Sequence, residues 1–302
     1  MKNLSLEKNF RYIYISIFIL IVILIILFNQ LDKILYIPFN TPEMWCESQP
    51  CIELYFGSFT LILVQPTSTL FVYLLGVIAI VIGVYFLRIS KSNKFVYWWG
   101  IALLLWGLGA LFAGTSYQAF SYVIKCMDRS FCVWTSLWEI FYLILSVGSV
   151  NALLLAQANL DEKNKRNGII KKYALMNFLI YEFVVVIGVI IPVQFMISFE
   201  LMILFLAPTI LFLLISNIHN YFESKRRINL SLTIIWVFLI LIIGIYFLYF
   251  MLGITDILWE EKFWFSENDV LHIGLILWMS YIYVTIRNNN KKVGISKKLE
   301  VL

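Results

Sequence analysis

Eight apolar runs, each close to the length that crosses the hydrocarbon core of a bilayer, dominate this sequence and leave little between them that could fold alone. They cover Tyr12 to Phe28, Thr69 to Leu87, Val96 to about Phe120, Ser136 to Ala156, Tyr173 to Ile191, Glu200 to Ile218, Leu230 to Met251 and Glu267 to Ile286. Charged residues make up only 14% of the chain, whereas a soluble domain carries roughly a quarter. The reading is an all-α integral membrane protein, a single membrane domain over residues 1–302 with eight transmembrane helices. Residues 69–288 would form a seven-helix core, and 12–28 would add one N-terminal helix. Phe28-Asn29-Gln30-Leu31-Asp32 offers no small-residue cleavage site, so that first helix is expected to stay on the chain.

Charge placement sets the orientation. With the N-terminus in the cytoplasm and eight alternating helices, only Lys33, Lys125, Arg129 and Lys262 of the 23 Lys and Arg fall outside. Loop bias of Lys and Arg fixes topology, so both termini are expected in the cytoplasm, in a bacterial inner membrane. The formal charge of +5 then follows from topology and does not call for a nucleic-acid partner. Membrane lipid is the expected partner.

Residues 29–68 form the longest connection, an extracytoplasmic loop with the pair Cys46 and Cys51. Within it, Ile52 to Val64 is too short to span and is interrupted by Gly57, so it is expected to lie in the interface. Cys126 and Cys132 sit in the turn between the third and fourth runs. All four cysteines face an oxidising compartment in this topology, which predicts two disulfides. Three pairings exist, Cys46–Cys51 with Cys126–Cys132 being the simplest. Neither pair has the CxxC spacing of a zinc knuckle.

The polar residues concentrate at two outer turns. Thr115, Ser116, Tyr117 and Gln118 end the third helix, and Ser136 and Glu139 open the fourth. Ser266-Glu267-Asn268-Asp269, followed by His272, opens the last. Both S-x-x-acid openings match a capping box, so Glu139 and Asp269 are helix starters as readily as site groups. His272 lies about 9 Å below its helix start, where an imidazole needs a partner; a bond to Ser116, Gln118 or a tyrosine would be a purely structural one. Ser116, Glu139, Asp269 and His272 are expected to line one cavity opening outward. Deeper, Glu182 is expected to be neutral and bonded to Asn151 or Ser149. His219 reads as an interfacial residue. No phosphate loop, GxSxG elbow or HExxH occurs, and the last helix carries no lysine for a retinal Schiff base.

The stretches GTSYQAFSY, CVWTSLWEI and SENDVLH resemble the alkaline ceramidase and adiponectin-receptor (CREST) superfamily, in particular its bacterial members. The resemblance covers residues 69 to 288 in outline. It implies a seven-helix fold and metal-dependent hydrolysis of lipid amides or esters. Ser116 stands where the family has a serine, Glu139 near the family's aspartate, and Asn268-x-x-x-His272 at the family's His-x-x-x-His. Phe120 and Asn268 occupy two positions where the family has histidine, which leaves His272 alone of three. The resemblance implies zinc held by His272 with Asp269 and Glu267 or Glu139. Three function classes follow: a lipid hydrolase using Ser116, Glu139, Asp269 and His272; a non-catalytic lipid-binding or sensing bundle; and a small-solute transporter using Glu182 and Asn151.

Overall fold

The structure is a computed structural model that describes residues 28–57, 59–91, 93–160 and 167–299. Among these, seven helices are long and apolar enough to cross a membrane. The expected helix over 12–28 lies, apart from Phe28, outside the described residues.

After a helical turn at Phe28–Leu31 comes α1 (Pro42–Glu47), capped by Thr41. Ile52 to Val64 is not one segment but two antiparallel strands, β1 (Cys51–Phe56) and β2 (Phe59–Val64), with Phe56 paired to Phe59. The fold is therefore not purely helical. The turn opens at Gly57, whose φ of +64° suits a residue without Cβ. β-branched and aromatic residues on either side favour the pleated form.

The spans are α2 (Pro66–Ser90), α3 (Lys94–Ala113), α5 (Leu137–Gln157), α6 (Asn167–Ile190), α7 (Phe199–Ser224), α8 (Arg227–Met251) and α10 (Glu267–Leu299). A π-helical turn, Gly114–Ala119, extends α3, and two short helices complete the list: α4 (Ser121–Lys125) and α9 (Ile254–Glu260). Pro66 starts α2 at the first turn, where its missing N–H costs nothing. Pro208 sits inside α7, which continues through it as one helical element. Helices α2, α3, α5, α7, α8 and α10 pack each on the next, with α10 closing back on α2, and α6 lies against α5.

The tightest contact is between α2 and α3. Gly76 and Gly83 are seven apart on one helix, Gly100 and Gly107 seven apart on its antiparallel partner. A Cβ added at Gly83 would lie 2.9 Å from the carbonyl oxygen of Gly100, and one at Gly107 would lie 2.7 Å from that of Gly76. Backbone meets backbone twice, two turns apart, as small residues permit in a membrane. Four indoles then tie α3, α8 and α10: Trp99 to Trp236 at 6.3 Å, Trp236 to Trp278 at 6.5 Å and Trp278 to Trp106 at 5.2 Å between centroids. Trp278 also donates to the carbonyl of Ile235 at 2.8 Å.

One end of the bundle carries a lid. Disulfides join Cys46 to Cys51 and Cys126 to Cys132. Trp45, Val64 and both cysteines of the second bridge form a small core there, with Tyr36 and Tyr122 packed on it. Backbone bonds from Cys132 to Asn40 and from Trp134 to Ile34 stitch the loop before α5 to the chain before α1.

Candidate functional site: two polar groups at the lidded end

The π-helical turn places Ser116. Thr115 bonds back to the carbonyl of Leu111 at 2.8 Å and meets the hydroxyl of Tyr73 at 2.7 Å, while Phe120 donates to the carbonyl of Thr115. The widened turn buries both Ser116 and Gln118. Glu139, in the first turn of α5, accepts from the Ser116 hydroxyl at 2.6 Å and from the Lys125 ammonium at 2.5 Å, both on Oε1. Ser116 and Ser136 hydroxyls are 2.6 Å apart. Since Ser116 donates to Glu139, Ser136 must donate to Ser116, giving a one-way chain from Ser136 to the carboxylate. Ser136 consequently makes no side-chain cap bond, and the capping box expected at α5 does not form.

Lys125 completes this group. It is 1% exposed, as closed off as Ser116 at 0% and Glu139 at 2%. Its three donors find Glu139, the carbonyl of Trp134 at 3.3 Å and the hydroxyl of Tyr36 at 3.4 Å. The rings of Tyr117, Tyr36 and Trp45 surround the ammonium at 5.0, 5.7 and 5.9 Å from their centroids. Burial pulls the Lys125 pKa down, but Glu139 and then Tyr36 outweigh it, so the net shift is upward and the side chain stays charged. Nothing in the pattern of its own helix announces this. The available signal was its position directly before Cys126, which pins it under the lid.

The second group heads α10. Asp269 Oδ2 accepts from the Ser266 N–H at 2.6 Å, the one arm of the expected capping box that is seen, and from the Ser266 hydroxyl at 3.1 Å. Helix α2 reaches the same place. The Ser68 and Ser266 hydroxyls are 2.9 Å apart, and Thr67 lies between Asp269 Oδ2, at 3.3 Å, and the carbonyl of Trp264. Glu267 is drawn aside to α9, where its carboxylate and N–H both meet the Thr255 hydroxyl. Asp269 is fully buried and His272 is 8% exposed, yet Asp269 Oδ1 and His272 Nδ1 have no hydrogen-bond partner among the described residues.

The structure thus brings Ser116 to Glu139, and Asp269 to Ser266, as two separate bonded groups. Helix α2 is hydrogen-bonded to both, through Tyr73 to the first and through Thr67 and Ser68 to the second. Among the described residues His272 bonds to none of Ser116, Gln118 or a tyrosine. Cavities of about 440 and 520 Å³ are lined by other residues, the first under the lid's outer edge and the second at the opposite end of the bundle.

Zinc asks for three protein ligands at least. Among the described residues no group of three His, Cys, Asp or Glu side chains is placed to hold a metal ion. At the head of α10, His272 and Asp269 offer two uncommitted atoms, while Glu267 is turned to Thr255 and Glu139 to Lys125. This donor set does not fit zinc.

Deeper in the bundle one expectation is corrected. Glu182 bonds neither Asn151 nor Ser149, and its Oε1 has no partner among the described residues. Asn151 instead accepts from Asn177 at 3.2 Å and donates to the carbonyl of Val147, while Ser149 donates to that of Ala102. Both residues are thus bonded elsewhere than to the α6 carboxylate. His219 pairs with Glu223 at 3.1 Å at the other end, both exposed.

Residues 67–291 match a protein family of unknown function, DUF6962. The chain belongs to that family. The DUF6962 region takes in both polar groups, from Thr67 through Lys125 and Glu139 to His272, whereas Tyr36 and Trp45 of the lysine cage precede it. No curated protein and no solved structure matches the chain.

Proposed function

We propose that this protein is a non-catalytic lipid-binding or sensing bundle related to the alkaline ceramidase and adiponectin-receptor superfamily, lidded end outward and basic end in the cytoplasm. The observation that carries the reading is the closed state of Glu139. A serine hydrolase needs an acceptor near the hydroxyl and room for a carbonyl. Here the carboxylate bonded to Ser116 is held by a charged ammonium at 2.5 Å, and all three side chains are sealed from solvent. Lys125 supplies from within the chain the positive charge that faces Glu139. Among the buried polar atoms without a partner in the described residues, Asp269 Oδ1 and His272 Nδ1 sit one turn apart on α10 and suit the amide or hydroxyl of a lipid headgroup.

The second reading is the metal-dependent hydrolase that the resemblance implies, which would need a ligand set beyond the two unpartnered atoms at the head of α10. One experiment separates them. Purified full-length protein is incubated in micelles with a fluorescent N-acyl sphingoid amide, and binding, acyl-chain release and metal content are measured together. The binding reading expects saturable binding, no release, and a fall of about fivefold or more in affinity for His272→Leu. About one zinc per chain, or acyl-chain release that His272→Leu abolishes, would overturn it in favour of the hydrolase.

A further inference from the structure

The cavity of about 520 Å³ lies at the basic end, between the end of α5, the start of α6, the end of α7 and the start of α8. Its volume is within the roughly 300–1,000 Å³ range of small-ligand pockets. The wall changes character with depth. Phe212 and Ile215, exposed on the bilayer-facing surface, line its inner part, and Asn220, Glu223 and Arg226 line its mouth. From Phe212 to Ser224 the helix advances about 18 Å, the distance from the hydrocarbon into the headgroup layer.

Part of the polar lining is uncommitted, although Ser224 and Asn229 bond to each other. Gln157 is 9% exposed and its side chain makes no hydrogen bond among the described residues. No side-chain bond or ion pair holds Ser216, Asn220 or Arg226 among those residues either. The lining carboxylate, Glu223, is occupied by His219 at 3.1 Å. Among the described lining residues that leaves no free acid to receive the ammonium of a choline or ethanolamine headgroup. Lys225 and Arg227 flank Arg226 in the chain, so the field at the mouth is positive.

We propose that this cavity binds the headgroup of one anionic phospholipid, with Arg226 on the phosphate, Gln157, Ser216 and Asn220 on headgroup hydroxyl and ester oxygens, and an acyl chain leaving over Phe212 and Ile215. The site is independent of the one at the head of α10. Its chemistry, a phosphate beside hydroxyl groups, is shared by phosphatidylglycerol and by free glycerol phosphate; the amphipathic wall selects the lipid.

Native mass spectrometry of the full-length protein in detergent tests this, with phosphatidylglycerol, phosphatidylcholine and glycerol phosphate as separate probes. Wild type should retain one phosphatidylglycerol in preference to phosphatidylcholine and hold no glycerol phosphate at the same concentration. Arg226→Ala should weaken that binding about tenfold, the scale of one lost charged hydrogen-bonding partner. Arg88→Ala removes the same charge at the same end but away from the cavity, and should leave binding unchanged. Ser216→Trp, which fills the cavity without changing charge, should also lose the lipid, and size-exclusion profiles identify any variant that fails to fold. Equal losses in Arg226→Ala and Arg88→Ala would reduce the effect to diffuse surface charge and overturn the site. Equal retention of the two lipids would overturn the anionic assignment, and glycerol phosphate binding as well as the lipid would make it a soluble-phosphate site.

Discussion

Replacing Lys125 by methionine would keep most of the side-chain volume and remove the charge. Glu139 would then be a carboxylate 2% exposed, with the Ser116 hydroxyl as its remaining partner. Removing one member of a buried ion pair costs about 3–5 kcal/mol, because the other charge is left without compensation. The tight 2.5 Å contact and the full set of ammonium partners put the expected loss toward the upper part of that range. Glu139→Leu combined with Lys125→Met removes both charges, and the double variant should return to within about 1 kcal/mol of wild type. Equilibrium unfolding in mixed micelles, followed by near-ultraviolet circular dichroism, measures all four species of the cycle. The pH dependence has a definite sign. A lysine pKa raised on folding contributes stability that is complete below the unfolded value, about 10.4, and is lost only as pH climbs through the folded one. The gap between wild type and Lys125→Met should therefore be flat from about pH 7 to pH 9 as far as this lysine determines it. A single variant within about 1 kcal/mol of wild type, or a double variant no more stable than the single, would refute the reasoning.

Gly83→Val places methyl groups where a bare Cβ already meets the Gly100 carbonyl oxygen at 2.9 Å; overpacking should cost about 1–3 kcal/mol, measured in the same titration, and Gly244→Ala, with open space around it, serves as control. His272→Leu removes a buried ring nitrogen without a partner, so the ligand-free protein should be as stable as wild type or more so, by up to about 1–3 kcal/mol; a large loss would mean that Nδ1 has a partner in solution. Cysteine placed at Lys225 should react with a membrane-impermeant maleimide only after the cytoplasmic side is opened, and labelling from outside would reverse the orientation.

Apolar run length located the seven described spans, because each helix must satisfy its own backbone and bury about one membrane thickness, although α6 starts earlier, at Asn167, and α7 and α10 run on to Ser224 and Leu299 beyond their apolar stretches. Spacing in the chain also pointed to the observed disulfide pairs. Long-range pairings were less legible. Gly57 interrupts an apolar stretch that reads equally as one interfacial segment or as two strands, and only the pairing of Cys51 with Val64 through Phe56 with Phe59 decides for strands. Thr67 and Ser68 have the composition of helix caps, yet their hydroxyls serve α10, some 200 residues away. Lys125 looked like any loop charge, since its partners come from two separate stretches, Tyr36 in the chain before α1 and Trp134 with Glu139 around the start of α5. The glycine spacing on α2 and α3 was readable as two heptads, but its meaning depends on the two helices being antiparallel neighbours in register.

The four linked indoles have an optical consequence. Aromatic transitions held within 5.2–6.5 Å of one another couple, and their combined circular dichroism depends on the ring angles. Trp106 and Trp99 belong to α3, Trp236 to α8 and Trp278 to α10, so the signal exists only while these three helices are docked. Secondary structure can survive when such packing is lost, and far-ultraviolet spectra would not register the difference. The bundle therefore carries its own assembly reporter, and a detergent that preserves helix content but erases the near-ultraviolet band has separated α3 from α8 and α10.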